Sequence, residues 1–180
     1  TSSEFQNFEP ERSLTIKKSS IDLAHSLLTR NQYKGVQEIC TIGNSCDDLL
    51  TYVNDRGFST LMYAMRSQGA SELVDKILDA GIDANLKNKR GSSALHYAAK
   101  FDSGKEYIEK LVQSGADASI KDKKYNTPIL IAAKQGNLEH FNILYQNSGL
   151  GKTDYSKIIK ALIQSKLYKR AFELARSKDD

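Results

Sequence analysis

Tryptophan is absent from the 180 residues, and proline occurs only twice, at Pro10 and Pro128. So few breakers, beside plentiful Lys, Ser, Leu and Ala, argue against a turn-punctuated β-sandwich and for helices. Cysteine is as sparse. Cys40 and Cys46 match neither a C-x2-C zinc pair nor a disulfide framework of four or more, so two unpaired thiols in a reducing compartment are expected. No apolar run reaches the roughly 18 residues of a membrane span, and the N-terminus lacks the positive-then-apolar layout of a signal peptide. These absences predict an intracellular protein, cytoplasmic or nuclear, with no transmembrane segment.

What is present is ordinary for one folded domain: 39% hydrophobic and 27% charged residues, with no low-complexity tract. The net charge of +4 is unevenly placed. Residues 150–180 hold eight bases (Lys152, Lys157, Lys160, Lys166, Lys169, Arg170, Arg176, Lys178) against four acids (Asp154, Glu173, Asp179, Asp180), so the rest of the chain sums to zero.

Laid over itself, the chain repeats. Leu61, Leu95 and Ile129 are evenly spaced, and the same step separates Ala64, Ala98 and Ala132, and again Gly81, Gly115 and Gly149. The units open DRGFSTLMYAM, KRGSSALHYAA and KKYNTPILIAA and continue LVDKILDAGIDAN, YIEKLVQSGADAS and HFNILYQNSG. Small residues on a first helix permit close approach of a neighbour. Leu73, Val74, Ile77 and Leu78, then Tyr107, Ile108, Leu111 and Val112, form an apolar face at helical spacing on a second. One helix pair cannot bury two such faces, so the units are expected to stack, with Gly81 and Gly115 ending helices in a left-handed turn.

This pattern resembles the ankyrin repeat, whose motif runs G-x-T-P-L-H-x-A-A, a short turn, an apolar second helix, then G-A-D-x-N. Gly91 to Ala99 and Gly115-Ala116-Asp117 follow it closely, and Thr127-Pro128 restores a pair that Ser93-Ala94 lacks. The resemblance, specific over residues 54–149, implies an all-α solenoid of stacked helix-turn-helix units with hairpin loops. The expected units are 54–87, 88–121 and 122–153. In the same register Asp22 to Leu28 falls on the motif, with His25 at its His, so residues 20–53 read as a degenerate first repeat. Ile159, Leu162, Ile163, Ala171, Leu174 and Ala175 mark capping helices within 154–178, with their bases reading as a solvated face. Residues 1–19 fit no repeat and read either as a disordered leader or as an arm along the solenoid.

Candidate chemistry is thin. Gly149 to Thr153, GLGKT, ends like a phosphate-binding loop, but Gln146 stands where the first Gly is required and a helix precedes it where a strand is needed. A loop at a helix C-terminus is the better reading. His25 and His96 sit where the family's His steadies neighbouring turns, His140 lies on a second helix, and none has the company a metal site or triad needs. Asp47-Asp48 and Asp179-Asp180 read as solvated. No catalytic residue, metal site or cofactor is predicted.

The resemblance also implies a partner-facing concave surface, built from the hairpin tips and from two residues after Ala-Ala on each first helix. Carried over residue by residue, these are Asp55, Arg56, Phe58, Arg66 and Ser67; Lys89, Arg90, Ser92, Lys100 and Phe101; and Lys123, Lys124, Asn126, Lys134 and Gln135. Eight are basic and one is acidic. Arg66, Lys100 and Lys134 recur at the repeat step as a ladder of like charge, which an oppositely charged partner would relieve. The blander alternative is that long basic stems keep this surface soluble. Phe58 and Phe101 are candidate anchors, or they pack against an adjacent hairpin.

Two departures from the motif are visible. Tyr125 replaces Gly at a tight turn, which predicts a distorted third hairpin. The first two units also carry an extra residue between their helices. The expected function is a non-catalytic scaffold or adaptor, monomeric alone, that binds an acidic or phosphorylated segment of another protein. The alternative is nucleic-acid or acidic-lipid binding through the basic stripe and cap, against which the modest net charge and few aromatic platforms count.

Overall fold

Each first helix starts where a hydroxyl waits for it. Ser59 Oγ accepts from the Met62 N–H (3.2 Å) to open α1 (Thr60–Ala64). Ser93 and His96 form a reciprocal capping box at the start of α3 (Ala94–Lys100). Thr127 Oγ1 accepts from the Leu130 N–H (3.4 Å) ahead of α5 (Pro128–Gln135), where Pro128 sits in the first turn, at a position whose amide would have no carbonyl of its own helix to reach. The three caps, at 59, 93 and 127, are evenly spaced and obey the same period as the core.

These are features of a computed structural model that describes residues 50–67, 69–101, 104–147 and 155–176, together with Leu23, Ser26 and Leu27. The second helices are α2 (Ser71–Asp79), α4 (Gly104–Gln113) and α6 (Leu138–Asn147), followed by the pair α7 (Tyr155–Gln164) and α8 (Tyr168–Arg176). First helices stack on first helices, α1 on α3 on α5 on α7, and second on second, α2 on α4 on α6, while α8 packs on α7. Among the described residues the architecture is helical, with one isolated bridge between Val53 and Ser59. Leu27 is helical and packs against the common core. The N-terminal arm 1–19, most of the degenerate repeat 20–53, both cysteines and the GLGKT loop lie outside the described residues.

Periodicity becomes packing directly. Leu61, Leu95 and Ile129 are buried, and Ala64, Ala98 and Ala132 are sealed between neighbouring helices where a larger side chain would push them apart. On the second helices Leu73, Val74 and Ile77 give way, one full period later, to Tyr107, Ile108 and Leu111, but His140, Phe141 and Leu144 then arrive one position early. The third unit spends one residue fewer between its helices. It turns at Gly136 in the left-handed conformation (φ 73°), with the Asn137 N–H reaching the Ala132 carbonyl (3.2 Å). In the first unit the longer loop is tied down by the buried Tyr107 hydroxyl, which donates to the Ser67 carbonyl (2.9 Å) and accepts from the Ala70 N–H (2.8 Å).

The last pair closes the stack differently. The Ser165 hydroxyl donates to the Ala133 carbonyl (2.7 Å) at the end of α5. The Arg170 guanidinium lies over the rings of Phe141 (5.6 Å) and Tyr145 (5.1 Å) and pairs with Glu173 (3.0 Å), fastening α8 to α6.

Candidate functional site

Three hairpins precede the first helices, built on one plan. Asn54 Oδ1 accepts from the amides of Arg56 and Phe58 (2.9 and 3.0 Å), and Asn88 Oδ1 from those of Arg90 and Ser92 (2.8 and 3.2 Å). Asp122 Oδ1 accepts from those of Lys124 and Asn126 (both 2.8 Å). The carbonyls at 54, 88 and 122 in turn accept from Gly57, Gly91 and Tyr125 (2.8, 2.8 and 2.9 Å). Successive hairpins are joined edge to edge, the Lys89 N–H to the Arg56 carbonyl and the Lys123 N–H to the Arg90 carbonyl (both 2.9 Å). The bases at their tips are therefore held on a continuous backbone ribbon.

The third hairpin corrects the expected distortion. Tyr125 adopts φ 59°, close to the 73° and 76° of Gly57 and Gly91, and its hydrogen bonds match theirs. A Cβ on Gly57 would meet Asn88 Cα at 2.9 Å, and one on Gly91 would meet the Lys123 nitrogen at 3.1 Å, because the next hairpin lies against each. Among the described residues no further hairpin lies against the third. Tyr125 therefore meets only the strain of a left-handed non-glycine, about 1 kcal/mol, and its ring is 71% exposed.

The third unit also exchanges partners. Asn54 and Asn88 donate from Nδ2 to the hydroxyls of Tyr63 (3.1 Å) and Tyr97 (2.8 Å). Ile131 and Asp122 occupy the corresponding positions, so that bond has no counterpart. Asn126 Nδ2 instead donates to Asp122 (3.0 Å), and Asn126 Oδ1 accepts from Lys134 Nζ (2.6 Å). Burial pushes the Asp122 carboxyl up, but the hydrogen bonds from Asn126 and the Lys124 amide outweigh it and hold the group below the usual carboxylate range. Its charge is turned inward to the turn.

His96 links two units from a buried site. Its Nδ1 accepts from the Ser93 N–H (3.2 Å), which assigns the proton to Nε2, and Nε2 donates to the Asn126 carbonyl (3.1 Å) of the next hairpin. Desolvation lowers its pKa, although the Asn126 carbonyl and Asp122 act in the other direction.

Two clefts open along the hairpin side. One, of about 630 Å³, lies between the second and third hairpins and is walled by Lys89, Arg90, Lys100, Lys123 and Lys124, with His96 and Tyr97 at its base. The other, about 240 Å³, lies between the third hairpin and α7 and is walled by Lys124, Lys134, Lys157 and Lys160. Among the described residues Asp122 is the one carboxylate on either wall. In the ladder, Arg66 and Lys100 flank the ring of Phe101 (6.0 and 5.6 Å), and Lys134 holds Asn126. Their partners are neutral. The ion pairs among the described residues lie elsewhere: Lys76–Glu72, Lys105–Glu139, Lys110 with Asp75 and Glu106, and Arg170–Glu173.

Of the sequence-derived site residues, Asp55 and Arg56 are exposed at the first hairpin, while Lys89, Arg90, Lys123, Lys124 and Asn126 surround the first cleft, Lys100 and Lys134 standing beside them. Of the two arrangements expected of Phe58, an open anchor or packing against its neighbours, its half-buried ring takes the second, on Tyr63 (5.5 Å) and Tyr97 (5.4 Å). Lys157 and Lys160, read in the sequence as part of the basic C-terminal cap, line the second cleft. Their i, i+3 spacing showed that they share a face of α7, but not that α7 turns this face to the third hairpin. Among the described residues no cluster of three or more His, Cys, Asp or Glu is placed to hold a metal, and no helix is long and apolar enough to cross a membrane.

The family model described as "Ankyrin repeats (3 copies)" matches residues 61–158, more than half of the chain. No curated protein matches it in sequence.

Proposed function

The chain belongs to the ankyrin-repeat family, whose repeats are generally protein–protein interaction modules, and from that premise we propose that it is a non-catalytic scaffold or adaptor gripping an acidic or phosphorylated segment of an intracellular partner along its hairpin face. One observation carries the reading. Lys76, Lys105 and Lys110 on the second helices and Arg170 on the last helix are paired with carboxylates, whereas Arg66, Lys89, Arg90, Lys100, Lys123, Lys124 and Lys134 have no carboxylate within ion-pair distance among the described residues. Uncompensated charge in a cleft raises the local concentration of an oppositely charged ligand and speeds its arrival. A nucleic-acid partner fits less well, since base stacking needs open aromatic platforms and the hairpin face offers mainly Tyr125 and the already flanked Phe101.

The test is recovery of partners from lysate by the wild-type chain and by the triple variant Arg66→Glu, Lys100→Glu, Lys134→Glu, with thermal melting to show that the variant folds. Specific partners should be lost from the variant, and from wild type between about 50 and 500 mM salt, as screening removes the attraction. Undiminished recovery by the folded variant overturns the reading.

A further inference from the structure

We propose that the smaller cleft is a seat for one phosphoryl group, so that the partner segment is anchored by a phosphorylated side chain at the C-terminal end of the groove. This rests on the acidic-segment reading and deepens it.

Four lysines line the cleft from three directions: Lys124 from the third hairpin, Lys134 from α5, and Lys157 and Lys160 from one face of α7. Among the described residues no carboxylate lines it. Lys134 is aimed by Asn126 Oδ1 (2.6 Å), and Asn126 is itself held by Asp122, so the ammonium is positioned without being neutralised. Like charges at i, i+3 on a helix repel, and here two more are added from outside it.

The chemistry selects the ligand. A carboxylate brings one charge and two oxygens, whereas a phosphate monoester brings up to two charges and three acceptor oxygens, enough for several ammonium donors at once. Size selects it further. At about 240 Å³ the cleft falls below the roughly 300–1,000 Å³ typical of small-molecule sites, which suits a single phosphorylated side chain and is small for a nucleotide. Leu130 and Ala161 give it an apolar floor for the carbon stem, and Tyr125 stands exposed at its rim.

The probe is inorganic phosphate, followed by backbone amide NMR of the full chain at constant ionic strength and compared with chloride. Saturable shifts confined to residues 124–126, 130–134 and 157–164 are expected. They should vanish in Lys157→Gln/Lys160→Gln, whose surface substitutions leave the core intact. Shifts that do not saturate, or that spread evenly over the basic surface, overturn the seat, as does retention of the local response in the variant. A second arm uses the partner recovered in the lysate experiment, with and without phosphatase treatment. Phosphate removal should weaken its binding to wild type about tenfold or more, in keeping with lost charge-assisted hydrogen bonds, and leave its binding to the Lys157/Lys160 variant unchanged. Binding that phosphatase leaves unaltered in wild type but that the Arg66, Lys100, Lys134 reversal abolishes overturns the seat while keeping the groove. Loss of neither overturns both.

Discussion

A single imidazole joins two units and makes their union pH-dependent. His96 is buried, and its Nδ1 faces the Ser93 N–H, so a proton added there would point at a donor. Its folded-state pKa lies below the unfolded value, for which 6.5 is typical, chiefly through desolvation. The unfolded chain therefore takes up the proton first as pH falls. Stability is full above about pH 6.5 and declines below it, at no more than about 1.4 kcal/mol per pH unit, until the folded pKa is passed. His96→Gln should be less stable at neutral pH, and the difference from wild type should shrink between pH 6.5 and 5 in urea titrations. A difference independent of pH would contradict the assigned protonation state.

At the scale of the hairpin, glycine is required by the neighbour as well as by the turn. Gly57, Gly91 and Gly81 all have positive φ, yet only the first two lie against the backbone of a following hairpin; nothing lies within 4 Å of a Cβ on Gly81. Gly81→Ala should cost about 1 kcal/mol, the left-handed strain alone. Gly57→Ala and Gly91→Ala should cost more, about 2–3 kcal/mol, because neither backbone partner can yield cheaply. Tyr125→Gly should change stability by less than about 1 kcal/mol, since relieved strain is offset by a looser unfolded chain. Chemical denaturation of the four variants checks the order, and equal costs at positions 81 and 91 would show that the close approach contributes nothing.

Across the whole molecule, each unit touches its neighbours and little else, so stability should be distributed along the stack. Helices α3 and α5 are covered on both sides, whereas α8 rests on α7 and on the Arg170 bracket. Native-state hydrogen exchange should find the strongest protection in α3 and α5 and the weakest in α8. Leu174→Ala, which empties a buried site on α8, should lower protection in α7 and α8 and leave α3 nearly unchanged. A uniform loss along the chain would mean one cooperative block. The same linear build sets charge out by side: α2 and α4 pair bases with acids, and the ladder at 66, 100 and 134 has no carboxylate within ion-pair distance among the described residues.

The repeat period, the small residues between first helices and the ladder at 66, 100 and 134 were legible in the sequence, because each depends on identity and spacing within one unit. What decided the rest was contact between units. Whether Tyr125 distorts its turn depended on what lies against that turn, and Phe58 was taken into the hairpin layer by Tyr97 of the next unit. Lys157 and Lys160 became walls of a cleft because α7 lies beside α5. Local spacing specifies which face of a helix a residue occupies; only packing specifies what that face meets.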